Sequence, residues 1–261
     1  MSEVLYDHRD GVARVTINRP EARNSLTGRT VASVYDAVRR AADDPKTRVL
    51  VLRGTGADFC CGADVKGYSR ADAAAEATPV EHFDPVPFRT SVLLHEMEAV
   101  TIAAIRGGCA GAGFGWACAC DLRVADANVR FNSAFLDVGV AGDMGVPWTL
   151  PRIVGAGRAR ELSLLPRKFG AVEAMAWGLV NRVFEGEAFE DELDAIVARL
   201  AGAAPLALKA LKSNYVEAER VPLSTYIAME TERHRALFAT ADRAEAFAAF
   251  AEKRAPRFVG R

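Results

Sequence analysis

The sequence is short of cysteine and histidine, has no signal-like start and carries no long apolar run. Each shortage closes off a class of function. Its five cysteines stand at 60, 61, 109, 118 and 120. None forms a CxxC pair, and none of the four histidines (8, 82, 95 and 234) lies at metal-ligand spacing from them. An odd number of thiols, two of them in an apolar run, predicts reduced and buried cysteines rather than zinc or disulfides. Apolar stretches such as 99–105 fall far short of the roughly 20 residues that a bilayer span needs. Residues 1–10 are polar and lack the apolar centre of a secretion signal. The expectation is a soluble, cytoplasmic protein with no membrane partner. A formal net charge of -1 argues against a chain built to coat nucleic acid.

Several catalytic signatures are missing too. The run GGCAGAGFG at 107–115 fails as a dinucleotide fingerprint. Its third glycine would have to be residue 116 or 118, which are Trp116 and Cys118. No GxxxxGK[ST] phosphate loop, HExxH or GxSxG elbow occurs. No Ser-His-Asp set can be assembled from the order of residues alone.

What is present is a large apolar share, 50% of 261 residues, enough for one sizeable domain or a domain with a helical extension. Residues 12–18 alternate like a strand, and 20–24 read as a turn. Thr27 predicts the cap of a helix whose face is Val31, Val34, Tyr35 and Val38. Residues 48–53 read as a buried strand, ended by Gly54 and Gly56. Residues 70–88, rich in alanine and then in proline, read as a mobile surface segment, a lid. A helix over 88–98, a strand over 100–105, a glycine-rich turn and a short helix over 113–120 follow. Strands are expected at 121–125 and 129–132, and again at 179–184 within a helical stretch that starts near 157. After residue 203 only helices are expected. The alternation is an α/β pattern.

Two stretches share one design. Residues 59–64 (FCCGAD) follow a buried strand, and 107–115 follow another strand and open a helix. Glycine and alanine leave the backbone accessible there. One N–H from each stretch, aided by the helix N-terminus, suits a developing enolate oxygen. A single such donor contributes about 3–4 kcal/mol in a transition state.

At this point the sequence resembles a known family, the crotonase superfamily, also called the enoyl-CoA hydratase/isomerase family. The matching pieces are NRPEARNSL at 18–26, DFCCGADVK at 58–66 and IAAIRGGCAGAGFGWACACDLRVA at 102–125. LPRIVGAGRA at 150–159, AMAWGLVNRV at 174–183 and AFAAFAEKRAPRF at 246–258 complete an ordered series along nearly the whole chain. The resemblance implies an α/β fold: a crotonase-like spiral of ββα turns in 1–200, forming two sheets at an angle. It implies a helical region in 201–261 that builds a homotrimer or a dimer of trimers. The substrate would be an acyl-CoA thioester, with coenzyme A as part of the substrate and no separate cofactor or metal. By motif position the oxyanion hole would be the N–H groups of Ala63 and Ala112. Coenzyme A would run past Arg23 and the backbone of Ala22, Cys61 and Asp64. Phe250 and Lys253, from this or a neighbouring subunit, would meet its nucleotide end.

The chain departs from the family's hydratases. Their two glutamates fall on Gly115 and Phe135, which cannot transfer protons. One carboxylate, Asp143, stands nearby, eight residues beyond Phe135. At matching positions, dienoyl-CoA isomerases, dihydroxynaphthoyl-CoA synthases and the 4-chlorobenzoyl-CoA dehalogenase place an aspartate. Asp143 is therefore the expected acid/base group, with capping of the following helix as its structural alternative. Trp116 and Phe135 would make its surroundings apolar and raise its pKa. The expected chemistry is double-bond isomerisation or a related lyase step. C–C hydrolysis, dehalogenation, or acyl-CoA binding without turnover are the alternatives. Asp137 is a second candidate carboxylate. Asp64 and Asp121 are expected to brace turns, and His95 to lie at the surface.

Overall fold

The computed structural model describes residues 2–65 and 84–261. Most of the expected lid at 70–88 thus lies outside the described residues. Its last part, 84–88, leads into a 3-10 turn at Val86–Arg89, where Pro85 and Pro87 delay the helix. That helix, expected from 88, begins at Thr90.

The chain opens with β1 (Val4–Arg9), for which the sequence pattern gives no strand signal. It pairs antiparallel with β2 (Val12–Ile17) at the edge of a six-stranded sheet. Asp7, His8 and Arg9 hide its pattern, and charged residues are what an edge strand tolerates. Then come α1 (Gly28–Asp43), β3 (Val49–Gly54), α2 (Thr90–Glu96), β4 (Val100–Ile105) and β5 (Gly108–Ala110). α3 (Gly111–Ala119), β6 (Leu122–Asp126), β7 (Arg130–Asn132), α4 (Val146–Val154) and α5 (Ala156–Leu164) follow. β8 (Phe169–Gly170), α6 (Ala171–Ala176), β9 (Arg182–Phe184) and α7 (Phe189–Ala201) complete the layered part. The chain closes with α8 (Pro205–Ala218), α9 (Leu223–Phe238) and α10 (Ala241–Glu252). Two expectations are corrected. The glycine turn before α3 is partly a strand, β5, and the strand expected over 179–184 is confined to Arg182–Phe184.

The first sheet runs β1-β2-β3-β4-β6-β9, parallel from β2 onward. One face packs against a core that includes Val34 and Val38 of α1. The other meets Phe189, Leu193 and Val197 of α7. Burial on both faces explains the unbroken apolar run of β4. The second layer is made of short pieces. β5 pairs with β7 and β7 with β8, and single bridges join Cys60 to Cys109 and Leu26 to Ala63. Each turn of the chain thus lays a strand in the first sheet and then a short segment in the second layer. This is the crotonase spiral, an α/β fold with two sheets and C-terminal helices. Among the described residues, no helix is long and apolar enough to cross a membrane.

Thr27 caps α1 as expected. Its Oγ1 accepts from the Thr30 N–H at 3.1 Å, and Thr30 Oγ1 accepts from the Thr27 N–H at 3.3 Å. Thr27→Ala is expected to cost about 1 kcal/mol in chemical unfolding, while Thr27→Ser costs far less. Equal stabilities for the two variants would mean that the cap contributes nothing.

Candidate active site

Two backbone turns meet in the second layer. In the first, Leu26 bridges the residues on either side of Ala63. Its N–H donates to Gly62 O at 2.8 Å, and its carbonyl accepts from the Asp64 N–H at 2.9 Å. In that parallel register, the Ala63 N–H points away from Leu26 and has no partner among the described residues. In the second turn, Ala112 is the second residue of α3, so no carbonyl of a preceding helical turn receives its N–H. The two turns touch. A Cβ on Gly111 would lie 3.4 Å from Gly62 Cα, and both glycines have positive φ, 51° and 85°. The N–H groups of Ala63 and Ala112, each without a partner among the described residues, therefore stand one residue beyond this contact.

Ala22, Arg23 and Cys61 adjoin the first turn. Buried Asn24 fixes this loop: its Nδ2 donates to Thr55 O and Asp58 O, and its Oδ1 accepts from the Arg19 N–H. Arg23 makes a two-pronged bond to Asp58, at 2.8 and 2.9 Å, and Asp58 Oδ1 also accepts from the Gly108 N–H at 2.6 Å. The Arg23 guanidinium holds the Asp58 carboxyl below its usual range. The positive charge of Arg23 is thus met within the chain, and what it offers a ligand is mainly its exposed stem and remaining N–H groups. The N–H groups of Cys61 and Asp64 are taken by Arg23 O and Leu26 O. Asp64 also pairs with Arg19 at 3.0 Å, and Asp121 accepts from the Thr101 N–H at 2.7 Å, so both brace turns as expected.

Asp143 lies on the far side of the turns. Its carbonyl is 3.3 Å from where a Cβ on Gly115 would be, and its carboxylate acts electrostatically on the Cys60 thiol. It does not cap α4. The cap position is Gly145, with no side-chain bond. Instead, Asp143 Oδ1 is buried without a partner, one of two such side-chain atoms among the described residues. The other is Nε1 of Trp116, beside Gly115. Burial alone pushes the Asp143 carboxyl up to about 6. Trp116 and Phe135 are buried in the surrounding core, and Phe135 reaches Gly142. An orphaned buried acceptor costs about 1–3 kcal/mol, and such costs gather where a ligand completes the bonding.

Sequence reasoning missed two residues of this site. Ser91, buried on α2, donates its hydroxyl to Met144 O at 2.7 Å and holds the loop that carries Asp143. Cys60 reads in the sequence only as a core thiol. Nothing local marks either residue, because each acts on a segment far away in sequence. Other expected residues are not drawn in. Phe250 is 87% exposed near the end of α10, and Lys253 ends that helix at φ 54°. Asp137 is exposed, and His95 pairs with Glu219 at 2.9 Å. A cavity of about 430 Å³, lined by Cys120, Trp148 and Lys212 among others, lies toward the opposite end of α3 and belongs to a different part of the molecule. Among the described residues, no group of three His, Cys, Asp or Glu could hold a metal ion.

Comparison with known proteins agrees with this fold. The family model for enoyl-CoA hydratase/isomerase matches residues 7–261. The crotonyl-CoA hydratase of Syntrophomonas wolfei is 31% identical, over 99% of this chain and 98% of its own. The 1,2-epoxyphenylacetyl-CoA isomerase of Escherichia coli is also 31% identical, over 100% of both chains. The crystal structure of an enoyl-CoA hydratase from Bacillus anthracis superposes with a TM-score of 0.90 at 29% identity, covering 100% of both chains. Relatives at equal distance thus carry different reactions, while the match runs the length of the chain: it is an enzyme of the enoyl-CoA hydratase/isomerase (crotonase) family, which acts on acyl-CoA thioesters.

Proposed function

We propose that this enzyme holds the thioester oxygen of an acyl-CoA at the N–H groups of Ala63 and Ala112 and moves a proton with Asp143. The outcome is migration of a double bond, or a related lyase step, through an enolate. The observation that carries this reading is the Asp143 carboxyl. Among the described residues it is largely buried and without a partner, it is raised to about 6, and its charge acts on the Cys60 thiol. A base of that pKa is mostly ionised near neutrality and strong enough to take a proton next to a polarised carbonyl. Hydration by two carboxylates is disfavoured, because the family resemblance puts those carboxylates at residues 115 and 135, which are glycine and phenylalanine here. Full-length relatives include hydratases and isomerases alike, so the reading rests on the residues of this chain.

Coenzyme A passes Ala22, Arg23, Cys61 and Asp64 in this reading, and Phe250 and Lys253 meet its nucleotide end within a trimer or a dimer of trimers. Phe250 and Phe247, exposed at 87% and 63% on α10, favour a partner there.

The test is mass spectrometry of 3-hexenoyl-CoA incubated with the enzyme in deuterated water. Deuterium uptake or a shifted double bond is expected with the wild type and not with Asp143→Asn. Saturable binding with no exchange and no new product would leave an acyl-CoA-binding protein instead.

A further inference from the structure

Cys60 sits behind both turns. Its N–H donates to Gly108 O at 3.0 Å, and its carbonyl accepts from the Ala110 N–H at 2.9 Å, which ties the Ala63 turn to β5. Its side chain is fully buried against α3. A Cβ on Gly113 would fall 2.5 Å from Cys60 Cβ and 2.7 Å from its Sγ, so the helix has no side chain where Cys60 has one. Burial pushes the thiol up to about 12, and hydrogen bonding from the Gly62 and Gly113 backbones works against that rise. Gly62 precedes Ala63, and Gly113 follows Ala112. One sulfur therefore meets a peptide from each turn. In each turn it is the peptide next to the one whose N–H is free.

We propose that Cys60 is a positioning residue that sets the separation and aim of the Ala63 and Ala112 N–H groups. The proposal rests on the reading that these two groups hold the thioester oxygen. Donors in such a pair must reach the oxygen at about 2.7–3.1 Å. A change in what fills the space behind them moves both at once, because Gly62 and Gly111 are in contact in front of it. Serine keeps an acceptor for the two glycine N–H groups. Valine fills the space but offers none, and alanine does neither.

The experiment is the ultraviolet spectrum of cinnamoyl-CoA bound at saturation to the wild type, Cys60→Ser, Cys60→Val and Cys60→Ala. Hydrogen bonds to the thioester oxygen polarise the conjugated acyl group and move its absorption to longer wavelength. The wild type is expected to give this red shift. Cys60→Val and Cys60→Ala are expected to lose most of it, and Cys60→Ser to keep most of it. Exchange on 3-hexenoyl-CoA should fall about tenfold or more in Val and Ala, with KM little changed. Full red shifts in Val and Ala overturn the role of Cys60 while leaving the oxygen-holding reading intact. No red shift in the wild type overturns that reading, and the proposal with it. Should the valine variant fail to fold, the serine–alanine pair decides the matter in the same way, since both shrink the side chain and only serine keeps an acceptor.

Discussion

Asp143→Asn is expected to lower kcat for 3-hexenoyl-CoA isomerisation by about 10²–10⁴-fold and, at the same time, to stabilise the protein above pH 6. The two effects share one cause. Burial raises the carboxyl from 3.8 to about 6, with no partner to offset it. The folded chain therefore keeps a proton that the unfolded chain releases across that window. Fewer protons bound in the unfolded state means stability falls as pH rises from about 4 to 6, and the loss is complete above 6. Asparagine carries no charge and escapes that loss. The gain at about pH 8 is on the order of 1 kcal/mol, after allowing for the part of the carboxyl that water reaches, or roughly 2–4 °C in melting temperature. Near pH 4 it should vanish. For the wild type, a base that must be ionised makes kcat rise with pH through about 6 and then level off. Melting curves and rates across pH check both halves. A variant that is slow yet no more stable at pH 8 than at pH 4 would detach Asp143 from the buried, unpaired state described for it.

Gly115→Glu, which restores the first hydratase carboxylate, is expected to destabilise the protein by at least about 1–3 kcal/mol and to yield no hydration of crotonyl-CoA. A Cβ at residue 115 would lie 2.6 Å from Met144 Cβ, 3.2 Å from Val146 Cγ2 and 3.3 Å from Asp143 O. Met144 cannot easily give way. It is buried at φ 46°, and its carbonyl is held by Ser91. The space beside Gly115 is thus filled by the loop that carries Asp143. A carboxylate forced in there would also be short of partners. Gly115→Ala should show the steric part of the cost alone. Wild-type stability together with hydration in the glutamate variant would mean that loop and carboxylate do not compete for this space.

Much of the molecule was legible in the order of residues. β2 declared itself by alternation, β3 and β4 by apolar runs, and α1 by Thr27 and its repeating valines. The turns at Ala63 and Ala112 were marked by glycine after a strand. Period and cap are local properties, fixed by which face a residue presents and which N–H it can reach. β1 escaped because an edge strand carries charge, and β5 because Gly-Cys-Ala shows no period until β7 and Cys60 supply partners.

The sequence by itself determined the family and the layered α/β order, and it carries Gly115 and Phe135, neither of which can transfer a proton. Only the tertiary structure decided that the Asp143 side chain leaves the following helix uncapped and is buried without a partner among the described residues, because the same Gly-Asp-Met-Gly stretch is compatible with a cap until its surroundings are known. It also decided that Met144 takes the space left by Gly115, and that Cys60 stands behind two turns about 50 residues apart in the chain. These are contacts between segments distant in sequence. They follow from how whole layers pack, and no local pattern encodes the gap into which a distant side chain will fit.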